Sequence, residues 1–180
     1  MKKETIDYSF KLDVRYSVDV LVAGGGPSGV AAAVTAARRG AKVRIIEAGT
    51  CLGGLGTAGL VPAFMQFGDG VNFLAGGFGY ELFERAKKEG GVYNNGGAIR
   101  VEGLKRIYEA MAEEAGVDFT YHTKLIAVVK DGNAVTHAVC AAKSGVYAIA
   151  AKAFIDGTGD GDLSYMAGAN MEFGGEDGKA

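Results

Sequence analysis

The sequence predicts an α/β fold: a central parallel sheet flanked by helices, with an antiparallel three-stranded β-meander set into it. Three observations predict it. Residues 18–46 read as strand, glycine turn, helix and strand, about the length of one βαβ unit. Residues 124–151 hold three strand-like runs joined by turn-forming links, Asp131-Gly132-Asn133 and Lys143-Ser144-Gly145. A further apolar run, Ala153 to Ile155, leads into a second glycine turn, Asp156-Gly-Thr-Gly-Asp-Gly161.

Each element has its local reason. Residues 1–17 are mixed and polar and read as an N-terminal arm. Val18 to Ala23 is a short apolar run of the kind that forms a buried parallel strand. Val30 to Ala37 is almost all alanine and valine, so a helix there can lie close against a sheet. Arg38 and Arg39 complement its carbonyl end, and Gly40 can cap it. Lys42 to Ile46 is the next strand. Residues 48–77 form a long glycine-rich stretch whose apolar content argues for order and function. Phe78 to Glu89 reads as a helix. Residues 102–115 are strongly amphipathic, with Leu104, Ile107, Tyr108, Met111, Ala112 and Ala115 at helical spacing and Gly116 as the stop. Val117 to Tyr121 is a strand, then come the meander runs Lys124–Lys130, Ala134–Ala141 and Gly145–Ala151. A short helix over Asp162–Ala167 and a flexible tail at 174–180 complete the reading.

Composition narrows the function. With 180 residues the chain has the size of one domain. Hydrophobic residues are 48% and charged residues 22%, which suits a packed globular core and excludes a disordered chain. The net charge of −2 provides no positive field for nucleic acid or an anionic membrane surface. No apolar run is long enough to span a membrane, and the start lacks a secretory h-region. Cys51 and Cys140 are far apart and form no CxxC pair, which fits a reducing, cytoplasmic setting. Glycine is the outlier, at 30 residues, and it is clustered between apolar runs. Such clusters mark tight turns or close backbone approach.

Gly24-x-Gly26-x-x-Gly29 follows a strand and opens a helix. In that setting the first glycine permits the turn, the second lets a diphosphate approach the backbone, and the third lets helix and strand pack closely. The free N–H groups at the helix start then face the anion, and Ser28 offers a hydroxyl. Glu47 ends the next strand, placed to accept hydrogen bonds from an adenosine ribose and to repel a 2′-phosphate. A nicotinamide-type fold would continue in strict βα alternation; the meander and the second glycine turn depart from it.

Together, Val20-Leu-Val-Ala-Gly-Gly-Gly-Pro-Ser-Gly29, Glu47, Leu52-Gly-Gly-Leu-Gly-Thr-Ala-Gly59 and Phe154-Ile-Asp-Gly-Thr-Gly-Asp-Gly161 resemble the two-dinucleotide-binding-domain flavoproteins. The resemblance is closest to the FAD-dependent oxidoreductases related to the fumarate reductase and glutathione reductase flavoproteins. It implies a Rossmann-like FAD/NAD(P)-binding domain with FAD as cofactor. By that resemblance Gly24, Gly26, Pro27, Ser28 and Gly29 would hold the diphosphate and Glu47 the ribose. Gly53 and Gly54, with the loop to Thr57, would run along the diphosphate and ribityl chain. Ile126 would contact adenine through its backbone. Gly157, Thr158 and Gly159 would pass the adenosine side, with Asp160 as polar support. Chains of this family run on into a substrate domain, so residues 1–180 would be the FAD-binding portion and the substrate domain would be absent.

Other chemistry has less support. Cys51 has no second cysteine nearby for a redox pair. His122 and His137 lack metal-ligand partners at useful spacing, and Asp156, Asp160 and Asp162 lack the glutamate of a calcium loop. No general acid, base or nucleophile is named, and no metal is expected. The expected function is hydride or electron transfer through FAD. The alternatives are a fragment of an NAD-dependent dehydrogenase and a catalytically inactive nucleotide-binding domain.

Overall fold

The computed structural model describes residues 5–7, 9, 11–61, 63–64, 66–93, 97–172 and 174–175. Strands are β1 (Val14–Ala23), β2 (Val43–Ile46), β3 (Val92–Tyr93), β4 (Ala98–Ile99), β5 (Asp118–Thr120), β6 (Thr123–Asp131), β7 (Ala134–Ala142) and β8 (Gly145–Asp156). Helices are α1 (Pro27–Ala37), α2 (Phe78–Lys88), α3 (Val101–Glu114) and α4 (Asp162–Met166). Six strands form one sheet in the order β5-β2-β1-β8-β7-β6. The first four are mutually parallel, and β8, β7 and β6 form the antiparallel meander. The fold is Rossmann-like.

Three boundaries differ from the sequence reading. The N-terminal arm is not wholly irregular, because β1 already begins at Val14. Its first residues pair with β8 around Ala148–Ala150, and only that long-range partner makes a strand of a polar stretch. The runs Gly145–Ala151 and Ala153–Ile155 are one continuous strand, β8. Its first half pairs with β7 up to Ala150, and its second half runs beside β1 to Asp156. The two-residue strands β3 and β4 form a separate pair that the sequence does not announce. Of the tail, residues 173 and 176–180 lie outside the described residues, as do 1–4, 8 and 10 of the arm.

The sheet buries apolar side chains on both faces. One core joins Val22, Val43 and Ile45 of the sheet to α1, α2 and α3, with Leu104, Tyr108 and Met111 at its centre. The other lies inside the curl of the meander and gathers Leu21, Ile46, Leu125, Cys140 and Ile149 with Leu163 of α4. Burial pushes the Cys140 thiol up to about 12, so it stays a protonated core residue. Forked ion pairs tie the helices together: Arg38 to Glu81 at 2.6 and 2.8 Å, and Arg85 to Glu114 at 2.7 and 2.8 Å. Among the described residues of the long stretch after β2, rings pack together, with Phe67 within 5.4 Å of the Phe64, Phe73 and Phe83 centroids.

Candidate functional site

Because β1 lies between β2 and β8, the turns that leave β1 and β8 are neighbours at the carboxyl end of the sheet. Crevices at that end are where open α/β sheets bind ligands. A cavity of about 560 Å³ opens there. Ten of the residues singled out from sequence line it: Gly24, Gly26, Pro27, Ser28, Glu47, Gly54, Gly157, Thr158, Gly159 and Asp160.

The first turn is built by close backbone packing. Gly24 has φ +94°, and a Cβ on it would sit 2.2 Å from the Gly157 carbonyl oxygen. The Gly157 N–H donates to Ala23 O at 2.7 Å, which locks the two turns together. A Cβ on Gly29 would fall 2.0 Å from the Gly24 oxygen, so Gly29 is buried behind the turn. Gly26 is different. A Cβ there would meet only the Gly157 oxygen, at 3.8 Å, so this position faces open space. Gly26 is the N-cap of α1 and supplies no side-chain cap, and Pro27 at N1 has no N–H. The helix ladder itself leaves the first-turn N–H groups of Ser28 and Gly29 open.

Glu47 sits at the mouth of the same cavity. Its Oε2 accepts the Gly25 N–H at 2.7 Å and its Oε1 accepts the Gly49 N–H at 2.5 Å. Its own backbone bonds to Thr120 O and to the Thr123 N–H, at 2.9 Å each. A carboxylate has about four lone-pair sites, so two acceptor directions remain. Sequence reasoning overlooked Gly25, whose absent Cβ makes room for the Leu52 side chain and the Glu47 carboxylate.

The loop after Cys51 forms the opposite wall. Gly53 is buried and donates to Gly25 O at 2.8 Å, while Gly54 faces Gly26 and Pro27. Thr57 is fully buried and does not line the cavity. Its hydroxyl donates to Leu52 O at 2.7 Å, within the loop itself. Leu55, Ala58 and Gly59 line the cavity beside Gly54. Ile126 does not line it either. It is the extra residue of a bulge between Leu125 and Ala127, and Thr123, Lys124 and Leu125 face the cavity in its place.

Asp156 organises the second turn, a part that the sequence reading did not give it. Its Oδ1 accepts the Thr158 N–H at 3.1 Å and the Thr158 hydroxyl at 2.7 Å. Its Oδ2 accepts the Ser164 N–H and hydroxyl, both at 2.8 Å. Burial alone would raise its pKa, but these four bonds together hold the carboxyl below its ordinary value. The local signal was present: a strand-ending aspartate with hydroxyl residues two and eight positions later.

The charges around the cavity are mostly acidic, with Glu47, Asp160 and Asp162 against Lys124. An anionic ligand here would rely on backbone N–H groups. Among the described residues no cluster of three or more metal-ligating side chains occurs, and no helix is long and apolar enough to cross a membrane.

Residues 19–180 match the family model described as FAD dependent oxidoreductase. The chain belongs to this family. Its cofactor is FAD. Among solved structures, the L-proline dehydrogenase from P. horikoshii is similar at 16% identity and a TM-score of 0.65, covering 88% of this chain and 58% of that one. A geranylgeranyl bacteriochlorophyll reductase-like protein from Thermoplasma acidophilum is 20% identical with a TM-score of 0.61, covering 86% of this chain and 43% of its own. A flavocytochrome c3 fumarate reductase is 19% identical with a TM-score of 0.57, covering 79% and 33%. At these identities the likeness is one of fold, and this chain of the FAD dependent oxidoreductase family spans well under two thirds of each neighbour. A comparison with curated protein sequences finds no match.

Proposed function

We propose that residues 1–180 form an FAD-binding unit that serves hydride or electron transfer in a flavin-dependent oxidoreductase. The observation that carries this reading is the open position at Gly26. A side chain at Gly24, Gly25 or Gly29 would collide with protein, whereas Gly26, beside the uncapped start of α1, leaves room for a diphosphate to approach the backbone. The N–H groups of Ser28 and Gly29 would bind the anion, with Gly24, Pro27 and Gly29 fixing the turn that presents them. Glu47 would accept the ribose hydroxyls with its two remaining acceptor directions and disfavour a 2′-phosphate. Gly53 and Gly54 would lie along the diphosphate and ribityl chain, with Thr57 holding their loop from inside.

For adenine we propose the Leu125 peptide in place of Ile126. The Thr123 N–H points away from β7, toward Glu47 O. The two-residue alternation of a strand turns the Leu125 peptide the same way. Gly157, Thr158 and Gly159 would close the adenosine side, with Asp160 at the rim. Bound FAD supplies the redox step, accepting a hydride or an electron pair. The chain's own residues bind and orient it. A cytoplasmic, reducing setting belongs to this reading and is supported by two buried free thiols.

Calorimetric titration with FAD, FMN and ADP tests the assignment. FAD and ADP should bind and FMN should not, because the contacts address the diphosphate and adenosine. Gly26→Val should weaken FAD about a hundredfold, equivalent to about 2.7 kcal/mol, with the urea midpoint nearly unchanged. Equal affinity for FMN, or undiminished FAD binding in Gly26→Val, would overturn the reading.

A further inference from the structure

Gly49 is a glycine for a reason outside its own backbone. It does not take the left-handed φ that favours glycine, but a Cβ on it would sit 3.0 Å from Glu47 Oε1. The missing side chain clears a carboxylate, and the Gly49 N–H donates to that same oxygen at 2.5 Å. His122 shows the reverse. It takes a left-handed φ of +48°, which glycine adopts without steric cost, yet it is not glycine. It makes the turn between β5 and β6, where two successive N–H groups reach the Glu47–Gly49 segment. His122 donates to Gly49 O at 3.0 Å and Thr123 to Glu47 O at 2.9 Å. The Glu47 N–H donates in turn to Thr120 O at 2.9 Å. Three backbone bonds therefore tie the Glu47–Gly49 segment to residues 120–123, and the Gly25 N–H holds Glu47 Oε2 at 2.7 Å. A left-handed residue other than glycine persists where its surroundings demand it. Here the demand comes from the pair of bonds to the segment that carries Glu47.

We propose that Gly49 and His122 are positioning residues for the Glu47 carboxylate and thereby set how strongly the ligand's sugar hydroxyls are selected. The proposal rests on the reading of Glu47 as the ribose acceptor. Gly49 gives Oε1 both its donor and its clearance, and the His122 N–H fixes Gly49 by its carbonyl. With Oε1 and Oε2 each taking one backbone N–H, each oxygen keeps an acceptor direction for a hydroxyl. A carboxylate held at both oxygens presents those directions in one place, where a free side chain would have to be ordered on binding. His122 acts through its backbone, and its side chain is exposed. Neither Gly49 nor His122 lines the cavity, so an effect on binding has to pass through Glu47.

The test uses the 180-residue chain as wild type, Gly49→Val, His122→Pro, His122→Gly and Glu47→Ala. The ligands are ADP and 2′,3′-dideoxy-ADP, which differ only in the sugar hydroxyls. Wild type should prefer ADP about thirtyfold, and Glu47→Ala should bind the two nearly alike, because the bonds to a charged acceptor are gone. Gly49→Val puts a branched side chain against Oε1. It should lower the preference to about threefold, while affinity for the dideoxy ligand changes less than about twofold. His122→Pro removes the N–H and forces φ to about −65°, and it should lower the preference by a similar factor. His122→Gly keeps the donor and the left-handed backbone and should retain the preference. In the unliganded protein, hydrogen exchange at the Gly25 amide should speed up about tenfold in Gly49→Val and His122→Pro, because its acceptor is displaced. The Val30 amide, which donates to Gly26 O at 2.9 Å, should be unaffected. A wild-type preference in Gly49→Val, or unchanged Gly25 exchange there, overturns the positioning role whether or not His122→Pro folds. Equal weakening of both ligands also overturns it and leaves only a general structural role. Loss of the preference in His122→Gly assigns the effect to the imidazole and overturns the backbone tie. A wild type that binds the two ligands alike, or binds neither, overturns the ribose reading of Glu47, and with it the selection proposed here. That outcome is distinct, because the exchange measurement needs no ligand.

Discussion

The turn after β1 and the turn after β8 face each other across the cavity and are both rich in glycine, yet different forces hold them. At residues 24–29 the glycines are required by crowding: side chains at Gly24, Gly25 or Gly29 would collide with backbone or with Leu52. At residues 157–161 Gly157 is crowded by the backbone of the first turn, while a Cβ on Gly161 would meet the end of the Met171 side chain at 2.6 Å. Gly159 has nothing within 4 Å of where a Cβ would be, and its glycine serves a φ of +95°. What shapes the second turn is the Asp156 carboxylate, which gathers Thr158 and Ser164 around itself. A run of glycines therefore does not by itself mark a ligand surface. In the first turn, Gly26 is the one glycine at which packing does not exclude a side chain.

The contrast implies a graded response to substitution. Gly24→Ala should be the most damaging. It combines a left-handed φ, costing about 1–3 kcal/mol, with overpacking against Gly157, costing about 1–3 kcal/mol. A loss of about 4 kcal/mol in urea denaturation is expected, and a wild-type midpoint would mean that the two turns separate freely.

Asp156→Asn should come next. It leaves donors from Ser164 or Thr158 without their acceptor, and partial exposure screens the loss to about 1–2 kcal/mol. The sign with pH follows from the lowered pKa. The carboxylate's contribution is complete above its ordinary value of 3.8 and is lost as the pH falls through the lower native value. The gap between wild type and Asp156→Asn should therefore narrow in acid. A gap that stays constant from neutral pH down through the native titration would show that charge has no part in holding the second turn.

The smallest effect belongs to Gly159→Ala, where strain without a clash should cost about 1 kcal/mol. A loss as large as that of Gly24→Ala, read from the same denaturation curves, would erase the distinction between the turns.

Elements whose evidence is local were legible from the chain. The helices show apolar residues at helical spacing, and β6 and β7 are bounded by turn residues. The order of strand, Gly24-x-Gly26-x-x-Gly29, helix, strand and Glu47 depends on near neighbours. The start of β1 was not read as strand, because Arg15 and Ser17 interrupt a continuous apolar run and its partner lies some 130 residues away. The unity of β8 was hidden by Lys152, and it exists because β7 and β1 pair with overlapping parts of one strand, Gly145–Ala150 and Ala148–Asp156.

The same boundary runs through the site. Residue type and spacing were enough to indicate a parallel nucleotide-type sheet, the two glycine turns and the acid at the end of β2, since each follows from short-range geometry. Which of those residues faces the cavity was decided by contacts between distant segments. A bulge in β6 carries Ile126 out of the lining and leaves Leu125 in it, and hydrogen bonds inside the loop turn Thr57 away. Asp156 becomes the organiser of the second turn once α4 folds back and delivers Ser164. Spacing along the chain specifies what a turn can be. Packing between segments far apart in the chain specifies which atoms are left free to meet a ligand.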